Sequence, residues 1–320
     1  MGNIKGKHLY TVMSLGLLAA LLYLSDVNSI AATLKRVSPS YIAWGIGLWA
    51  AGVYMRIFRW DYLLKAAGVR VTLKDVAYVF LVGFYLANAT PGRIGDPVRS
   101  LLLKRHNNVP VSASLPSIVV ERAVDMLVLV VLGALTLLFL PAGRTNAYIQ
   151  SALLLFVVSI AAMAYAVSSR KRFASFISLS ARLLSKIPFV RLPRQRIISK
   201  TDTLFKAFQR YKNKTHLLVS LLLSFLIWVT VGLISGVAFL AVGTNVPLIP
   251  LIGITSISIL VGVLSFLPGG LGSTEISSVL LFVTLGFATL PQASAAVLLA
   301  RIMSYWVYVA VGSIAATKIR

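Results

Sequence analysis

Ten apolar runs dominate the sequence, and their lengths constrain what the chain can fold into. They lie at about 9–24, 40–58, 76–90, 94–103, 116–140, 148–168, 216–242, 250–267, 272–287 and 293–316. A helix needs roughly 20 apolar residues to cross the ~30 Å hydrocarbon core of a bilayer, and six of the runs are near that length. Membrane β-barrels use short alternating strands instead. Because 58% of all residues are hydrophobic, the sequence predicts one polytopic, all-α integral membrane domain over residues 1–320.

The four short runs form two pairs, and proline and glycine interrupt each pair. The residues at these breaks are Pro91, Gly92 and Gly95 in the first pair and Pro268, Gly269, Gly270 and Gly272 in the second. Proline removes a backbone donor, and a broken helix leaves polar backbone groups inside the membrane. Such backbone is tolerated only where it lines a cavity or is buried in protein. We therefore predict two re-entrant hairpins beside about six spanning helices. The first spanning helix, at 9–24, is predicted to stay in the protein and not to be removed as a signal peptide.

The basic residues indicate how the chain is oriented in a membrane. The net charge is +23, yet Lys and Arg lie between the apolar runs and not in one patch, which argues against a nucleic-acid partner. Residues 170–214 contain 13 Lys and Arg and one acid, Asp202, as is typical of a cytoplasmic segment. With that segment inside the cell, both termini are predicted to be cytoplasmic and the chain to lie in the cell membrane. The two hairpins then enter from opposite faces.

The segment 170–214 also has an apolar pattern at roughly helical spacing. Its apolar residues are Phe173, Phe176, Ile177, Leu183, Leu184, Ile187, Ile197, Ile198, Leu204, Phe205 and Phe208. Basic residues interleaved with such a stripe are typical of an amphipathic hairpin at the membrane surface. The alternative is a solvated linker.

The two breaks resemble each other in sequence. Pro91-Gly92-Arg93-Ile94-Gly95 and Pro268-Gly269-Gly270-Leu271-Gly272 share three identities and one conservative change. A helix with an arginine in its apolar part follows each break, and these arginines are Arg122 and Arg301. Opposed hairpins with matching sequences predict the inverted-repeat arrangement found in transporters.

Four of the eight acids fall within apolar segments, namely Asp96, Glu121, Asp125 and Glu275. An acid at the bilayer centre costs at least ~2.5 kcal/mol, so each needs a reason to be there. Arg93, Arg99, Arg122 and Arg301 are the available cations. Asp96 and Arg99 are i,i+3 on one helix, and Arg122 and Asp125 are i,i+3 on the next, so both sets can face one interior.

The helices after the two breaks begin near Gly95 and Gly272, where free N–H groups favour an anion. With Arg93, Arg99 and Arg301 nearby, they predict a midplane site for an anionic group such as phosphate. The predicted substrate-binding residues are Asn88, Arg93, Asp96, Arg99, Glu121, Arg122, Asp125, Ser273, Thr274, Glu275, Arg301 and Tyr305. Arg56, Arg59 and Trp60 are interpreted as anchors at the membrane interface.

Other interpretations of these charges remain open at the level of sequence. They could be salt bridges that only hold the bundle together, or Glu275 and Asp125 could couple transport to protons or ions. The absence of cysteine, three dispersed histidines and the lack of nucleotide-binding or hydrolase motifs predict no metal, no cofactor and no enzyme. The alternative function is a membrane scaffold whose basic segment holds a lipid-synthesis enzyme or glycosyltransferase.

Four ordered motifs carry a resemblance to a known family. They are Asn88-Ala89-Thr90-Pro91-Gly92-Arg93-Ile94-Gly95-Asp96-Pro97-Val98-Arg99, Glu121-Arg122-Ala123-Val124-Asp125, Leu267-Pro268-Gly269-Gly270-Leu271-Gly272-Ser273-Thr274-Glu275 and Arg301-Ile302-Met303-Ser304-Tyr305-Trp306. In these the chain resembles the transmembrane region of lysylphosphatidylglycerol synthases, also called flippase-like or UPF0104 proteins.

The resemblance implies translocation between leaflets of a phosphate-bearing phospholipid or polyprenyl-linked lipid, and a partner that is a second copy or a lipid-synthesis enzyme. The family commonly has Gly-Glu where this chain has Gly95-Asp96, which keeps the acid. No segment here corresponds to the aminoacyl-transfer domain of the full synthases, so the resemblance does not imply synthase activity.

Overall fold

The structure is a computed structural model, and it describes most of the chain in continuous segments. Described residues are 27–90, 95–138, 168–184, 211 and 213–317, with 13, 14, 16, 17, 19, 23, 154, 157, 158, 161, 165, 205 and 206. Within these segments the regular structure is helical throughout, and no strand occurs in them. The all-α prediction is therefore confirmed.

The described helices are α1 (Val27–Lys35), α2 (Pro39–Ala66), α3 (Leu73–Asn88), α4 (Val98–Asn107), α5 (Val111–Leu138), α6 (Arg170–Leu184), α7 (Lys214–Ala241), α8 (Leu248–Leu264), α9 (Ser273–Thr284), α10 (Leu290–Arg301) and α11 (Val307–Ala316). A π-helical turn, Ile302–Trp306, joins α10 to α11, so that Leu290–Ala316 is one helix of 27 residues.

Helix α7 shows how polarity is distributed between the outside and the inside. Its outward surface exposes Leu218, Leu222 and Phe225, while Ser220 and Ser224 are fully buried. This is the reverse of a water-soluble protein and is the distribution expected when lipid is the solvent. Among the described residues, only α7 and Leu290–Ala316 are both long enough and apolar enough to cross a membrane by composition.

Helices α2 and α5 are as long as α7, at 28 residues each, but they contain more charge. In α5 the charged residues are Glu121, Arg122 and Asp125, which lie in the middle of the helix. The predicted spans at 9–24 and 148–168 fall largely outside the described residues. The number of spans therefore stays a prediction.

Helices α2 and α7 pack along each other in opposite directions. Near one end the Tyr62 hydroxyl lies 2.8 Å from His216 Nδ1, and further along Arg59 donates to Ser224. Towards the other end a Cβ atom on Gly52 would lie 3.6 Å from Thr230. Residue numbers rise along α2 as they fall along α7, so the pair is antiparallel.

Each predicted Pro/Gly break separates two helices that pack on each other. The first lies between α3 and α4, and the second between α8 and α9. Helix α3 also contacts the 3₁₀ turn Pro268–Gly270 of the second break, which brings the two broken regions together. Pro91, Gly92, Arg93 and Ile94 lie outside the described residues. The re-entrant placement of the two helix pairs stays a prediction.

Two further interfaces join the N-terminal and C-terminal parts of the bundle, and a glycine makes each one tight. On α8 a Cβ atom at Gly253 would overlap the Thr136 side chain of α5. On α11 a Cβ atom at Gly312 would lie 2.5 Å from the Cβ of Tyr85 and 3.0 Å from the Leu81 carbonyl of α3. Neither interface therefore has room for a side chain at its glycine.

Helix α6 confirms that the predicted amphipathic segment begins as a helix. Phe173 is buried and packs on Phe205 with ring centroids 5.6 Å apart, whereas Phe176 and Leu179 are exposed. Residues 185–204, which include the rest of the predicted hairpin up to Leu204, lie outside the described residues. The membrane-surface role of the segment stays a prediction.

Candidate functional site

A buried set of ion pairs, here called the acid–arginine network, joins α2, α4 and α5. It consists of Arg59, Arg99 and Arg122 with Asp96, Glu121 and Asp125. Arg59 is fully buried, with Nη1 at 2.5 Å from Asp125 Oδ1 and Nη2 at 3.2 Å from Glu121 Oε1. Helix α7 completes the contacts of Asp125, because Trp228 Nε1 donates to Oδ1 at 3.1 Å.

Helix α4 contributes Arg99, which links the first break to α5. Its Nη1 donates to Glu121 Oε2 at 3.1 Å, and its Nη2 lies 4.0 Å from Asp96 Oδ1. The guanidinium also lies over the Trp60 ring at 4.8 Å and the Phe80 ring at 5.3 Å. The ring faces carry negative potential, so they supplement the carboxylates around this cation.

Arg122 is the most accessible member of the network, with 21% of its side chain exposed. Its Nε lies 2.8 Å from Asp96 Oδ2, and it reaches both Glu121 and Asp125 at 3.6 Å. The three arginines and three carboxylates balance one another. A network balanced in this way can be buried because each charge has partners of opposite sign.

The prediction that Arg56, Arg59 and Trp60 anchor the chain at the membrane interface is wrong. Arg59 and Trp60 are completely buried and Arg56 nearly so. The physical reason is that α2 packs between α5 and α7, and this part of α2 faces the buried carboxylates of α5. Trp60 Nε1 donates to the buried Ser117 hydroxyl at 3.1 Å instead of reaching a lipid head group.

Arg59 is the network residue that sequence reasoning missed. A signal was available, since Arg59 directly follows the apolar run 40–58 and lies three residues after Arg56 and two before the acid Asp61. Arg56 itself donates to the Tyr308 hydroxyl at 3.3 Å and lies 5.5 Å from the Trp228 ring centroid. No carboxylate of the described residues lies within 4.0 Å of it.

A second group of polar residues surrounds Arg301 at the second break. Arg301 Nε lies 2.5 Å from Glu275 Oε1, and Nη2 donates to the Gly269 carbonyl at 3.0 Å. The Tyr305 ring lies beneath the guanidinium at 4.6 Å. Glu275 is sealed by this pair and by the Gly272 N–H at 2.8 Å, while 18% of the Arg301 side chain is exposed.

The backbone of the second break depends on its glycines. Gly269, Gly270 and Gly272 all have positive φ, at 60°, 66° and 85°. Residues with a Cβ rarely adopt this conformation, and at Gly269 a Cβ would also lie 2.5 Å from Tyr305. Ser273 closes the break, donating to Gly270 O at 3.1 Å and lying 2.8 Å from the Ser265 hydroxyl.

Two adjoining clefts open beside Arg301, and the space in them that no atom fills, including the part open to the surroundings, is about 350 and 510 Å³. They share Arg301, Thr274 and Ile259, and together we call them the Arg301 cleft. Their polar lining consists of Arg301, Ser235, Thr255, Thr274, Ser278 and Ser304. The remaining lining is mostly apolar and comes from α7, α8, α9 and α10. One cation and several hydroxyls in an otherwise apolar wall suit an anionic head group with attached chains.

The predicted site residues therefore fall into two groups. Asp96, Arg99, Glu121, Arg122 and Asp125 meet in the acid–arginine network, and Ser273, Thr274, Glu275, Arg301 and Tyr305 meet at the second break. In the described part of the chain no ion pair joins the two groups. Asn88 lies at the end of α3, where its Nδ2 donates to Phe84 O at 2.9 Å, and Arg93 lies outside the described residues.

Neither group resembles a metal site, since among the described residues no cluster of three His, Asp or Glu side chains is arranged to hold an ion. Carboxylates in both groups are instead paired with arginines. What the two groups can do chemically is bind and orient charge inside an apolar bundle.

Comparison with known proteins agrees with the sequence motifs. The family model described as the lysylphosphatidylglycerol synthase transmembrane region matches residues 11–312. A UPF0104 membrane protein of Pyrococcus horikoshii is 24% identical over 98% of this chain and 97% of its own length. Another from Methanothermobacter thermautotrophicus is 29% identical over 81% of this chain and 78% of its own. One from Methanocaldococcus jannaschii is 23% identical over 97% and 94%.

Proposed function

Because the chain belongs to the lysylphosphatidylglycerol synthase transmembrane-region family of membrane proteins, we propose that it moves a phosphate-bearing lipid between the leaflets of the cell membrane. The lipid head group would pass through the Arg301 cleft while its chains stay in the bilayer. The substrate class is an anionic phospholipid or a polyprenyl-phosphate lipid, and no catalytic step is needed.

The Arg301 cleft is the observation that carries this proposal. Arg301 is held by Glu275 and Gly269, yet part of its side chain remains open to the cleft. The hydroxyls of Thr274 and Ser278 line the same space and have no hydrogen-bond partner among the described residues. A phosphate oxygen could accept bonds from all three groups, as charge-assisted bonds to arginine are strong in an apolar setting.

The resemblance between the two broken regions supports a transport function. Arg122 pairs with Asp96, which directly follows the first break, and Arg301 pairs with Glu275, which follows the second; in each pair the partners are 26 residues apart. Helices α2 and α7, which precede the two broken regions, have equal length and run antiparallel. These features support the inverted-repeat arrangement with re-entrant hairpins, in which two halves alternate around a central site.

Reconstitution tests the proposal. The purified protein is placed in vesicles of phosphatidylglycerol and phosphatidylethanolamine with a trace of fluorescent phosphatidylglycerol, and transfer is followed by dithionite quenching of the outer leaflet. We expect faster transfer than in empty vesicles. Arg301→Ala should slow the transfer by at least about tenfold, the effect of losing one charge-assisted contact. Glu275→Gln should also slow it, because Arg301 would lose its positioning carboxylate.

The control is Arg70→Ala, which removes an exposed arginine in the connection between α2 and α3. It should transfer lipid at the wild-type rate. Wild-type protein that transfers no phospholipid or polyprenyl-phosphate lipid faster than empty vesicles would refute the transport proposal. The scaffold function would then be favoured.

A further inference from the structure

The two broken regions align at a spacing of 177 residues within the Pro/Gly motifs that begin at Pro91 and Pro268, and at 179 residues on both sides of them. Four pairs that are 179 residues apart have matching roles. Asp96 and Glu275 are the acids after the breaks, and Arg122 and Arg301 are their arginine partners. Gly83 and Gly262 are the glycines on α3 and α8 at which a Cβ would overlap a side chain from beyond the break. Val111 and Leu290 begin the helices that carry the arginines.

The same spacing places the Arg301 cleft on the counterpart of the acid–arginine network. The cleft residues Ser278 and Ser304 correspond to Arg99 and Asp125, and Ala300 corresponds to Glu121. Helices α2 and α7 are equally long, and when they are aligned from their first residues, at a spacing of 175, the cleft residues Val231, Ile234 and Ser235 have the positions of Arg56, Arg59 and Trp60. Part of the cleft lining therefore corresponds to network residues and to their neighbours on α2.

Side-chain size explains why one half is filled and the other open. The three largest fully buried side chains described are Trp60, Arg59 and Arg99. Their counterparts in the cleft are Ser235, Ile234 and Ser278, all of which are smaller. In the N-terminal half these large side chains fill the space beside Arg122. In the C-terminal half the smaller counterparts leave the space beside Arg301 open.

The charges around the two arginines differ in a defined way. Arg122 has three carboxylates within 3.6 Å, at Asp96, Glu121 and Asp125. Arg301 has one among the described residues, Glu275. The two carboxylates that are missing beside Arg301 are replaced by Ala300 and Ser304. An anion that enters the cleft can therefore occupy the place that these carboxylates take in the N-terminal half.

We infer that the lipid phosphate group binds Arg301 in the place that Glu121 and Asp125 take beside Arg122, and that Thr274 and Ser278 donate to it. This inference rests on the proposed function for the identity of the ligand as a lipid. The N-terminal network has no room for a second phosphate because its own carboxylates already occupy that place. Among the described residues, the inferred phosphate site therefore lies in the C-terminal half.

Restoring a carboxylate beside Arg301 tests the inference. Ser304→Asp places a carboxylate three residues after Arg301, as Asp125 is three residues after Arg122. Binding is measured in detergent as the rise in unfolding temperature caused by short-chain phosphatidylglycerol, and transfer is measured in the vesicles described above. We expect the variant to fold, because its new carboxylate has an arginine partner, and to lose binding and transfer by at least about tenfold.

Ser304→Asn is the matched control, since it has nearly the shape of aspartate without the charge, and it should lose less than the aspartate variant. Ala300→Glu, which restores the counterpart of Glu121, is a second and independent test with the same expected result.

Glycerol 1-phosphate and a glycosyl diacylglycerol without phosphate are compared as ligands of the wild-type protein. Stabilisation by the lipid phosphate and not by the glycosyl lipid supports a phosphate site. Stabilisation by glycerol 1-phosphate alone would assign the site to a free phosphate compound and overturn the inference.

The outcomes separate the inference from the proposed function. If Ser304→Asp and Ala300→Glu bind and transfer lipid as well as wild type does, the inference is overturned and transport stands. If wild-type protein binds short-chain phosphatidylglycerol and the two variants do not, yet no lipid is transferred, the phosphate site is supported and the transport proposal is refuted. If neither variant folds, the network geometry cannot be built in the C-terminal half, and the correspondence is refuted.

Discussion

Buried arginines in this protein are held by several partners each, and Arg59 is the extreme case. It contacts Asp125 and Glu121 and donates to Ser224, and none of its surface is exposed. A charge in such a place is stable only while its partners remain, because each ion lost its water on burial. Removing Arg59 would leave two carboxylates with too little positive charge nearby.

Arg59→Met, which keeps the length of the side chain, should lower the free energy of unfolding by about 3–5 kcal/mol. Lys65→Met on the same helix is the control, because Lys65 is 58% exposed and its pair with Asp61 should contribute less than about 1 kcal/mol. Denaturant unfolding in detergent micelles measures both. Equal losses for the two variants would contradict the structural importance assigned to the network.

The sequence predicts the members of the charged groups better than their arrangement. Acids in apolar runs are unusual, so Asp96, Glu121, Asp125 and Glu275 could be identified without coordinates. Arg59 was predicted to be an interfacial anchor because it lies directly after an apolar run, which is also where arginines that anchor a helix at the membrane surface are found. Which face of α2 meets α5 is a tertiary contact, and helical periodicity alone does not determine it.

At the scale of elements, tight helix contacts depend on glycines at a few positions. Gly312→Val should destabilise the protein, because the new side chain would lie against the backbone of α3 and backbone cannot move aside. Gly253→Val should do the same at the interface of α8 and α5. A cost of about 1–3 kcal/mol is typical of overpacking. Gly47→Ala is the control, since nothing lies within 4 Å of a Cβ there. Thermal unfolding in detergent measures all three, and equal unfolding temperatures would argue against these contacts.

Asp75 connects the start of α3 to the end of α4. It lies in the first turn of α3, outside the predicted spans. The Thr72 hydroxyl and Asn107 Nδ2 each donate to Asp75 Oδ2 at 2.9 Å. These hydrogen bonds lower the pKa of Asp75 from its usual value of 3.8, with a smaller contribution from His106. Since Asn107 is the last residue of α4, the carboxylate ties the two ends of the pair together.

The stability that Asp75 contributes should therefore depend on pH. Its folded pKa is below 3.8, so the contribution is complete above that pH and is lost as the pH falls through the folded pKa. Asp75→Asn should be less stable than wild type at pH 7, and the difference should narrow below pH 3.8. Lys74→Gln, at the exposed neighbouring position, should show no such narrowing in unfolding experiments from pH 2 to 7. A constant difference for Asp75→Asn would refute the assignment.

Helix positions were largely predictable, because apolar runs and Pro/Gly breaks are local features. The predicted runs at 216–242 and 250–267 correspond to α7 (Lys214–Ala241) and α8 (Leu248–Leu264). The Arg301 cleft was not predictable in the same way. Its existence depends on the absence of large side chains at Ser235, Ser278 and Ala300, and small residues in an apolar helix give no signal until their neighbours are known.

At the scale of the whole molecule, the lack of cysteine makes the topology directly measurable. A single cysteine at Arg70, between α2 and α3, and another at Asn245, between α7 and α8, should lie on opposite faces of the membrane. In intact cells an impermeant maleimide should label Asn245→Cys, and it should label Arg70→Cys only after permeabilisation. Unmodified protein is the blank, and Ser169→Cys marks the face of the basic segment. Labelling of both positions from one side would refute the inverted arrangement.

The contrast between a filled half and an open half also bears on how freely each can change in evolution. In the acid–arginine network a single substitution leaves a charge without its partner, so changes there must come in matched sets. In the Arg301 cleft, Ser304 and Ser235 donate within their own helices, to Ala300 O and Val231 O, and among the described residues no other side chain hydrogen-bonds to them. We therefore expect relatives to acquire new lipid preferences by single substitutions in the cleft. The residues of the network should vary little among them, because they stabilise the fold.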